Sequence, residues 1–391
     1  MNLSETFLRY FEAVEDPRMD NHNRRHNFHD ILVITILGAI CGADTWADIC
    51  DFADAKIDWL KTFLELPHGI PSHDTFGRVF SLINPNEFEE CFREWIASLT
   101  IDITKEIIAI DGKTLRGSHN RKKGVKPIHL VSAWAVKNRI MLGQTKTEEK
   151  SNEIEAIPRL LQMIDVKDSI VTIDAMGCQK KIAKEITAQG ANYVLALKEN
   201  QGTLYQDVVS IFQKGWEGPK KYKKMLNRIK VEKIHAHGRV ETRRYTIISA
   251  RDPLLFSLRW PGLKGIGMLE TTRTVNNEVE KSKRYFVTSL EYEQIDDFQR
   301  AVRQHWGIEI NLHWSLDVSF KEDLNRVRIG HAAENLAIVR RIALNLLKQE
   351  KTHKNGISTR RKRAGWDNKY LMKVLEADSE FKIEKKDAQK C

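Results

Sequence analysis

The sequence predicts an α/β protein built on a mixed sheet, with an all-helical block before the sheet and further helices after it. Three observations carry this. Residues 101 to 197 alternate between β-branched runs and amphipathic stretches, in the order three strands, helix, strand, helix, strand. Residues 1 to 100 lack such runs and show helical apolar spacing instead. Two of the runs, IIAIDGK and SIVTIDAMG, close on Ile-Asp followed by a small residue, which puts Asp111 and Asp174 at the ends of buried strands. A buried carboxylate is costly unless it is paired or binds a metal, so two of the same local design suggest one metal site assembled from two strands. Ordinary strand-end turn aspartates would read the same way on these segments alone.

Taken in order, helices are expected near 28 to 42, 45 to 65, 72 to 83 and 85 to 98, with Ser72 capping the third and Asn84-Pro85 closing it. The longest apolar stretch, ILVITILGAIC, is well short of the roughly 20 residues that span a bilayer and reads as a buried helix. Residues 1 to 20 show no apolar core of a signal peptide, which makes a cytosolic protein the expectation. The helices around Pro67-His68-Gly69-Ile70-Pro71 have the spacing of a helix-turn-helix, with His73 to Leu82 as recognition element; their acidic, aromatic-rich composition fits a packing or dimerisation module as well.

Strands follow at 106 to 111, 128 to 136 and 139 to 146, the last two joined by a tight Lys137-Asn138 turn. A helix at 153 to 164, the Asp174 strand, a helix at 178 to 189 and a strand at 192 to 197 complete the sheet. Between about 214 and 290 the rhythm changes: a strongly basic stretch precedes strand-like RRYTIISA, GIGMLETTR and KRYFVTSL, a β-rich insertion. From 294 the pattern is helical again, with a long helix through Glu309, another from about 332 to 349, and a basic RRKRAGW patch leading into a last helix.

Charge is unevenly spread. The chain carries a formal +10, yet residues 1 to 100 hold 8 Lys+Arg against 17 Asp+Glu, so the basic character belongs to residues 101 to 391. Such a field attracts polyanions and would supply the salt-sensitive part of nucleic-acid binding. The five cysteines, at 41, 50, 91, 178 and 391, form no C-x-x-C pair, which argues against a disulfide framework and a cysteine zinc site.

Two aspartates do not complete a two-metal site. The best third carboxylate lies in RAVRQHWGIEINLHWSLDVSF, where His305, Glu309 and His313 fall on one helical face with Trp306 and Trp314 beside them. Asp317, Glu322 and Asp323 compete for the role. His305, Glu309 and His313 also permit a zinc site by spacing, but the H-E-x-x-H arrangement of zinc proteases is absent. Helix-face tryptophans are more often core than base-stacking platforms.

IDGKTLRGS (110 to 118), EKSNEIEAIPRLL (149 to 161), IDAMGCQ (173 to 179), HGRVETRRY (237 to 245), RQHWGIEINLHWSLDV (303 to 318) and ENLAIVRRIALNLL (334 to 347) together resemble the H-repeat-associated branch of bacterial insertion-sequence DDE transposases. GADTWADICDFA and HGIPSHDTFGRVF are similar to that branch's associated helical domain. The resemblance implies a helical domain over 1 to 100, a ribonuclease H-like catalytic domain over 101 to 330 with its insertion, and a basic helical region over 331 to 391. It implies Asp111, Asp174 and Glu309 as the metal-binding triad, two Mg²⁺ ions with Mn²⁺ able to substitute, and DNA cleavage followed by strand transfer. Its implied partners are the element's terminal repeats, target DNA and a second copy in the synaptic complex, with no membrane. Lys113 and Arg116 are then placed to touch scissile-strand phosphates, Lys198 and Arg239 to track backbone, and Arg303, His305, Trp306 and His313 to face DNA. One departure stands out: where the wider superfamily often has Tyr, Arg and Lys around the glutamate, this chain has Val302, His305 and Leu316. A catalytically silent DNA-binding derivative is the alternative.

Overall fold

The computed structural model describes residues 7–19, 24–99, 101–119, 124–147, 152–218, 228–236, 239–250, 259–276 and 278–377. Part of the basic stretch before the insertion, His237 and Gly238 of the HGR segment, and Cys391 lie outside them.

The described strands form one nine-stranded sheet in the order β3-β2-β1-β4-β5-β9-β8-β7-β6. Its first five strands are β1 (Ile107–Thr114), β2 (His129–Ala135), β3 (Ile140–Thr147), β4 (Ile170–Ile173) and β5 (Asn192–Leu197). β1, β4 and β5 run parallel, while β2 and β3 pair antiparallel on the other side of β1. This is the ribonuclease H-like arrangement the resemblance implies. Every residue of β2 and β4 is buried, as expected of strands covered on both faces.

The insertion extends this same sheet. β9 (Glu278–Thr288) pairs with β5 from Val194↔Thr288 to Leu197↔Tyr285, and β8 (Gly265–Val275), β7 (Arg239–Ser249) and β6 (Arg228–Ala236) continue outward. Three strands were expected and four are present. β6 hides in the basic stretch because at the free edge its apolar Ile229 and Val231 are exposed and alternate with Arg228, Lys230 and Glu232.

Helices cover both faces. The first four are α1 (Phe28–Cys41), α2 (Trp46–Ala55), α3 (His73–Leu82) and α4 (Pro85–Ser98). The expected 45 to 65 helix stops at Ala55 and resumes only as a single turn, Ile57–Leu60. α5 (Glu153–Met163) packs on β2 and β3, with α6 (Lys180–Ala188) against α5 and β5. α7 (Gly202–Glu217), which strand and turn signals on either side conceal, sets Tyr205 and Phe212 against Tyr285 of β9. α8 (Ile295–Gln304) crosses β1, β4 and β5.

The N-terminal helices do not stand apart. α1 is buried along nearly its whole length between α2, α10 (Ala332–Gln349) and α11 (Ile357–Trp366), with α9 (Trp314–Ser319) against α11. α3, the would-be recognition helix, turns Phe76, Val79 and Phe80 inward toward α2 and α10. The RRKRAGW patch is itself α11 rather than a lead-in, and α12 (Asn368–Glu376) follows it. Arg361 of α11 is buried and donates to Ala39 O (3.0 Å), Asp44 Oδ1 (2.8 Å) and Ser319 O, with its guanidinium 4.0 Å from the Phe320 ring centre. One side chain thus ties the first helices, the last helices and the segment beyond Glu309 together. Among the described residues no single helix is long and apolar enough to cross a membrane.

Candidate active site

The parallel register pairs Ile110 with Ile173, so the next residues, Asp111 and Asp174, fall at the same level on adjacent chains, with neighbouring strands roughly 4.8 Å apart. Asp111 stays within β1, opposite Ser132, and its Oδ1 accepts from its neighbour Gly112 N (2.9 Å). Asp174 sits just past β4, where Oδ1 accepts from Met176 N (3.0 Å) and Gly177 N (3.4 Å), an Asx turn that fixes the carboxylate at the strand end. Gly112 is required by its surroundings. A Cβ there would lie 2.3 Å from Glu153 Oε1 and 2.5 Å from His129 Nε2. These two form a buried pair at 2.6 Å beneath β1, and Thr114 Oγ1 meets the other ring nitrogen of His129 at 2.8 Å.

The glutamate segment is not the continuous helix its spacing predicts. α8 ends at Gln304, and Glu309–His313 forms a single π turn closed by Trp314 N–H on Glu309 O. Such turns recur at functional sites because one extra residue re-aims the side chains. Here His313, buried, donates Nδ1–H to Glu309 Oε2 (2.9 Å) and lies 3.7 Å from Asp111 Oδ2. Ligand atoms of Asp111, Glu309 and His313 all come within 4.8 Å of one another. Sequence spacing put His313 on one face with Glu309 and the resemblance turned it toward DNA; the tertiary approach of β1 adds its place beside Asp111. His305 does not join them. Its Nδ1 is 3.0 Å from Thr172 Oγ1, which breaks up the His305, Glu309, His313 set that a zinc site would need.

Burial pushes Asp111 up to about 6 against the pull of His313 and the Gly112 N–H, with the Asp174 charge adding to the rise. The hydrogen bond from His313 holds Glu309 below the usual carboxylate range. Burial pushes His305 down to about 4, so its imidazole is neutral and serves as a hydrogen-bonding group. Asp111, Asp174 and Glu309 line one cavity of about 350 Å³, together with Lys198, His305 and Trp306. Carboxylate oxygens gathered at one cavity, with that of Asp111 held up by burial, are suited to hard divalent cations.

The other expected residues divide. Lys113 is buried, with Nζ 2.6 Å from Asp317 Oδ1 and 3.1 Å from Asp323 Oδ1, so it is occupied within the protein and does not face a phosphate. That pairing also removes Asp317 and Asp323 as rival ligands, and Glu322 is removed by its buried ion pair with Arg341 at 2.6 Å. Arg116 is exposed, 3.4 Å from Asp323. Lys198 is exposed at the cavity rim. Trp306 and Trp314 are 53% and 59% exposed, so neither takes the core position usual for helix-face tryptophans. Val302 and Leu316, in place of the superfamily's polar residues, are buried and pack.

A larger groove of about 980 Å³ adjoins the cavity, between the glutamate segment and one face of β7, β8 and β9. Arg239, Arg243, Arg273, Arg284 and Arg303 line it, and Arg303 is paired with Glu232 at 2.8 Å. Arg284 lies 5.9 Å from the centre of the Trp306 ring, where groove and cavity meet.

Residues 102–346 match the family model described as "Transposase DDE domain", and residues 8–96 match its associated domain. "H repeat-associated putative transposase YhhI" of Escherichia coli K12 is 40% identical over 356 residues, covering 90% of this chain and 92% of that protein. "Putative transposase YncI" of E. coli O157:H7 is 38% identical over 386 residues, covering 96% of each. A piggyBac transposase synaptic complex with hairpin DNA aligns with a TM-score of 0.41 at 10% identity, over 97% of this chain and 78% of that one.

Proposed function

The chain belongs to the DDE transposase family, and from that premise we propose that it cuts the ends of an insertion sequence and joins them to target DNA, using Asp111, Asp174 and Glu309. The observation that carries the reading is the convergence of Asp111, Glu309 and His313 on a cavity that Asp174 also lines. Asp111 and Asp174 would hold divalent ions, Mg²⁺ or Mn²⁺, with Glu309 completing the set. Bound there, the ions supply an activated water or 3′-hydroxyl and charge neutralisation at the phosphoryl group.

The chain's own groups do the rest. Gly112 and the Asx turn at Asp174 hold the two aspartates level, so both face one phosphate. His313 orients the Glu309 carboxylate toward Asp111 and keeps it ionised. Neutral His305 and exposed Lys198 offer donors at the cavity wall and rim, with Trp306 beside them. Arg116, Arg239 and Arg303 serve the DNA backbone, and a second copy binds the other element end. In this reading residues 1–100 are the associated helical domain, 101–330 the catalytic domain and 331–391 the C-terminal helical region.

The test is incubation with DNA carrying the element's own ends and Mg²⁺ or Mn²⁺. Asp111→Asn, Asp174→Asn and Glu309→Gln should each abolish nicking while retaining DNA binding. Binding without cleavage by the parent protein would overturn the catalytic reading and leave a silent DNA-binding protein.

A further inference from the structure

We infer that the face of β7, β8 and β9 turned toward the glutamate segment is the track of one unpaired DNA strand, its phosphates held by Arg239, Arg273 and Arg284 as it runs into the cavity of Asp111 and Glu309. The inference deepens the transposase reading and rests on it for the identity of the polyanion.

Strand alternation puts one set of side chains on this face, and the set is rich in arginine. Five guanidinium groups meet there against two acidic residues, Glu241 and Glu280. Arg243 is held by Glu241 at 2.6 Å and Arg303 by Glu232, but Arg239, Arg273 and Arg284 have no ion pair among the described residues. The Nε of Arg273 is buried without a partner. Five cations facing two anions leave the empty groove with a positive field that a polyanion relieves. Arginine's planar fork matches phosphate oxygens two at a time.

Continuity gives the direction. Arg284, Val302 and Trp306 line both the groove and the cavity, so a chain on the arginines passes without a break to the carboxylates. Size gives the form of the ligand. A cavity of about 350 Å³ lies at the small end of sites that enclose drug-sized molecules, a size that suits one nucleotide better than a base pair. A positive groove with an exposed aromatic at its end is the arrangement that holds single strands.

The test measures affinity against salt for full-length protein in an Asp111→Asn background without metal, using single-stranded and duplex oligonucleotides. Each phosphate contact contributes a slope of about 0.7 on a single strand. Arg239→Gln/Arg273→Gln/Arg284→Gln should therefore flatten the single-strand slope by about 2. Lys233→Gln/Lys281→Gln/Lys283→Gln removes the same charge from exposed positions on the opposite face of the same sheet and should leave the slope unchanged. If the triple variant fails to fold by far-UV circular dichroism, Arg273→Gln alone should flatten the slope by about 0.7. An unchanged slope in the groove variants, or an equal loss in the lysine control, overturns the track. Flattening on duplex but not on single strands overturns the unpaired-strand assignment. Parent protein that never nicks while the groove variant loses slope defeats the transposase reading and spares the track; the converse result defeats only the track.

Discussion

Substituting Gly112 by alanine should damage both the fold and the proposed site. The new Cβ would stand 2.3 Å from Glu153 Oε1 and 2.5 Å from His129 Nε2, and neither can retreat, because both side chains are buried and bonded to each other. Overpacking of this kind costs about 1–3 kcal/mol. Parting a buried hydrogen bond with a charged partner adds about 1.5–3 kcal/mol. We expect Gly112→Ala to lose about 3–5 kcal/mol in urea denaturation followed by tryptophan fluorescence. Glu153→Ala removes the nearer obstacle, so the double variant should be more stable than the sum of the two losses allows, with a coupling of about 1–3 kcal/mol. A Gly112→Ala protein as stable as the parent, or one that loses as much in the Glu153→Ala background, would refute the steric account.

Glu89, on α4, accepts from Gln144 N at 2.9 Å, and burial pushes its carboxyl up to about 8. The folded chain keeps this proton while the unfolded chain releases it near the ordinary 4.5, so stability should fall as pH rises from there toward 8, by about 3–5 kcal/mol at most. Glu89→Gln should remove that slope; urea midpoints that shift in parallel for variant and parent at acidic and mildly alkaline pH would dismiss it. Lys113→Met should cost about 1–3 kcal/mol, because it leaves Asp317 without its cation and Asp323 with Arg116 alone. Its duplex-DNA salt dependence should nevertheless match the parent's. Arg116→Gln, at an exposed position, should show the opposite pattern, with unchanged stability and a slope reduced by about 0.9; a flattened slope for Lys113→Met would contradict its burial.

Local patterns carried the frame of this molecule. β1 and β4 announce themselves because each is a short β-branched run that closes on Ile-Asp and a small residue, and the chain length between Asp111 and Asp174 admits the intervening β2, β3 and α5. What stayed hidden depends on residues far apart. Lys113 reads as a surface cation until Asp317 and Asp323, some two hundred positions later, arrive on either side of it. His313 reads as one more helical-face residue until a π turn and the end of β1 bring it against two carboxylates. Helix-face tryptophans are usually core, but Trp306 and Trp314 are both more than half exposed, and Trp306 looks onto the groove. β6 and α7 were missed for a different reason, since an edge strand and a half-exposed helix need little apolar contrast to form.

The guanidinium of Arg361 has a consequence for how a working molecule comes into being. Its acceptors, Ala39, Asp44 and Ser319, are synthesised well before it, the first two by more than three hundred residues. A ribosome that has already delivered all three carboxylates has therefore not yet delivered the clasp behind the last of them. A gene copy interrupted before codon 361 would still spell Asp111, Asp174 and Glu309, yet leave Asp44 and the Ser319 carbonyl without the cation built to join them. Counting intact carboxylates among degraded copies of such an element would overstate how many make a functional protein.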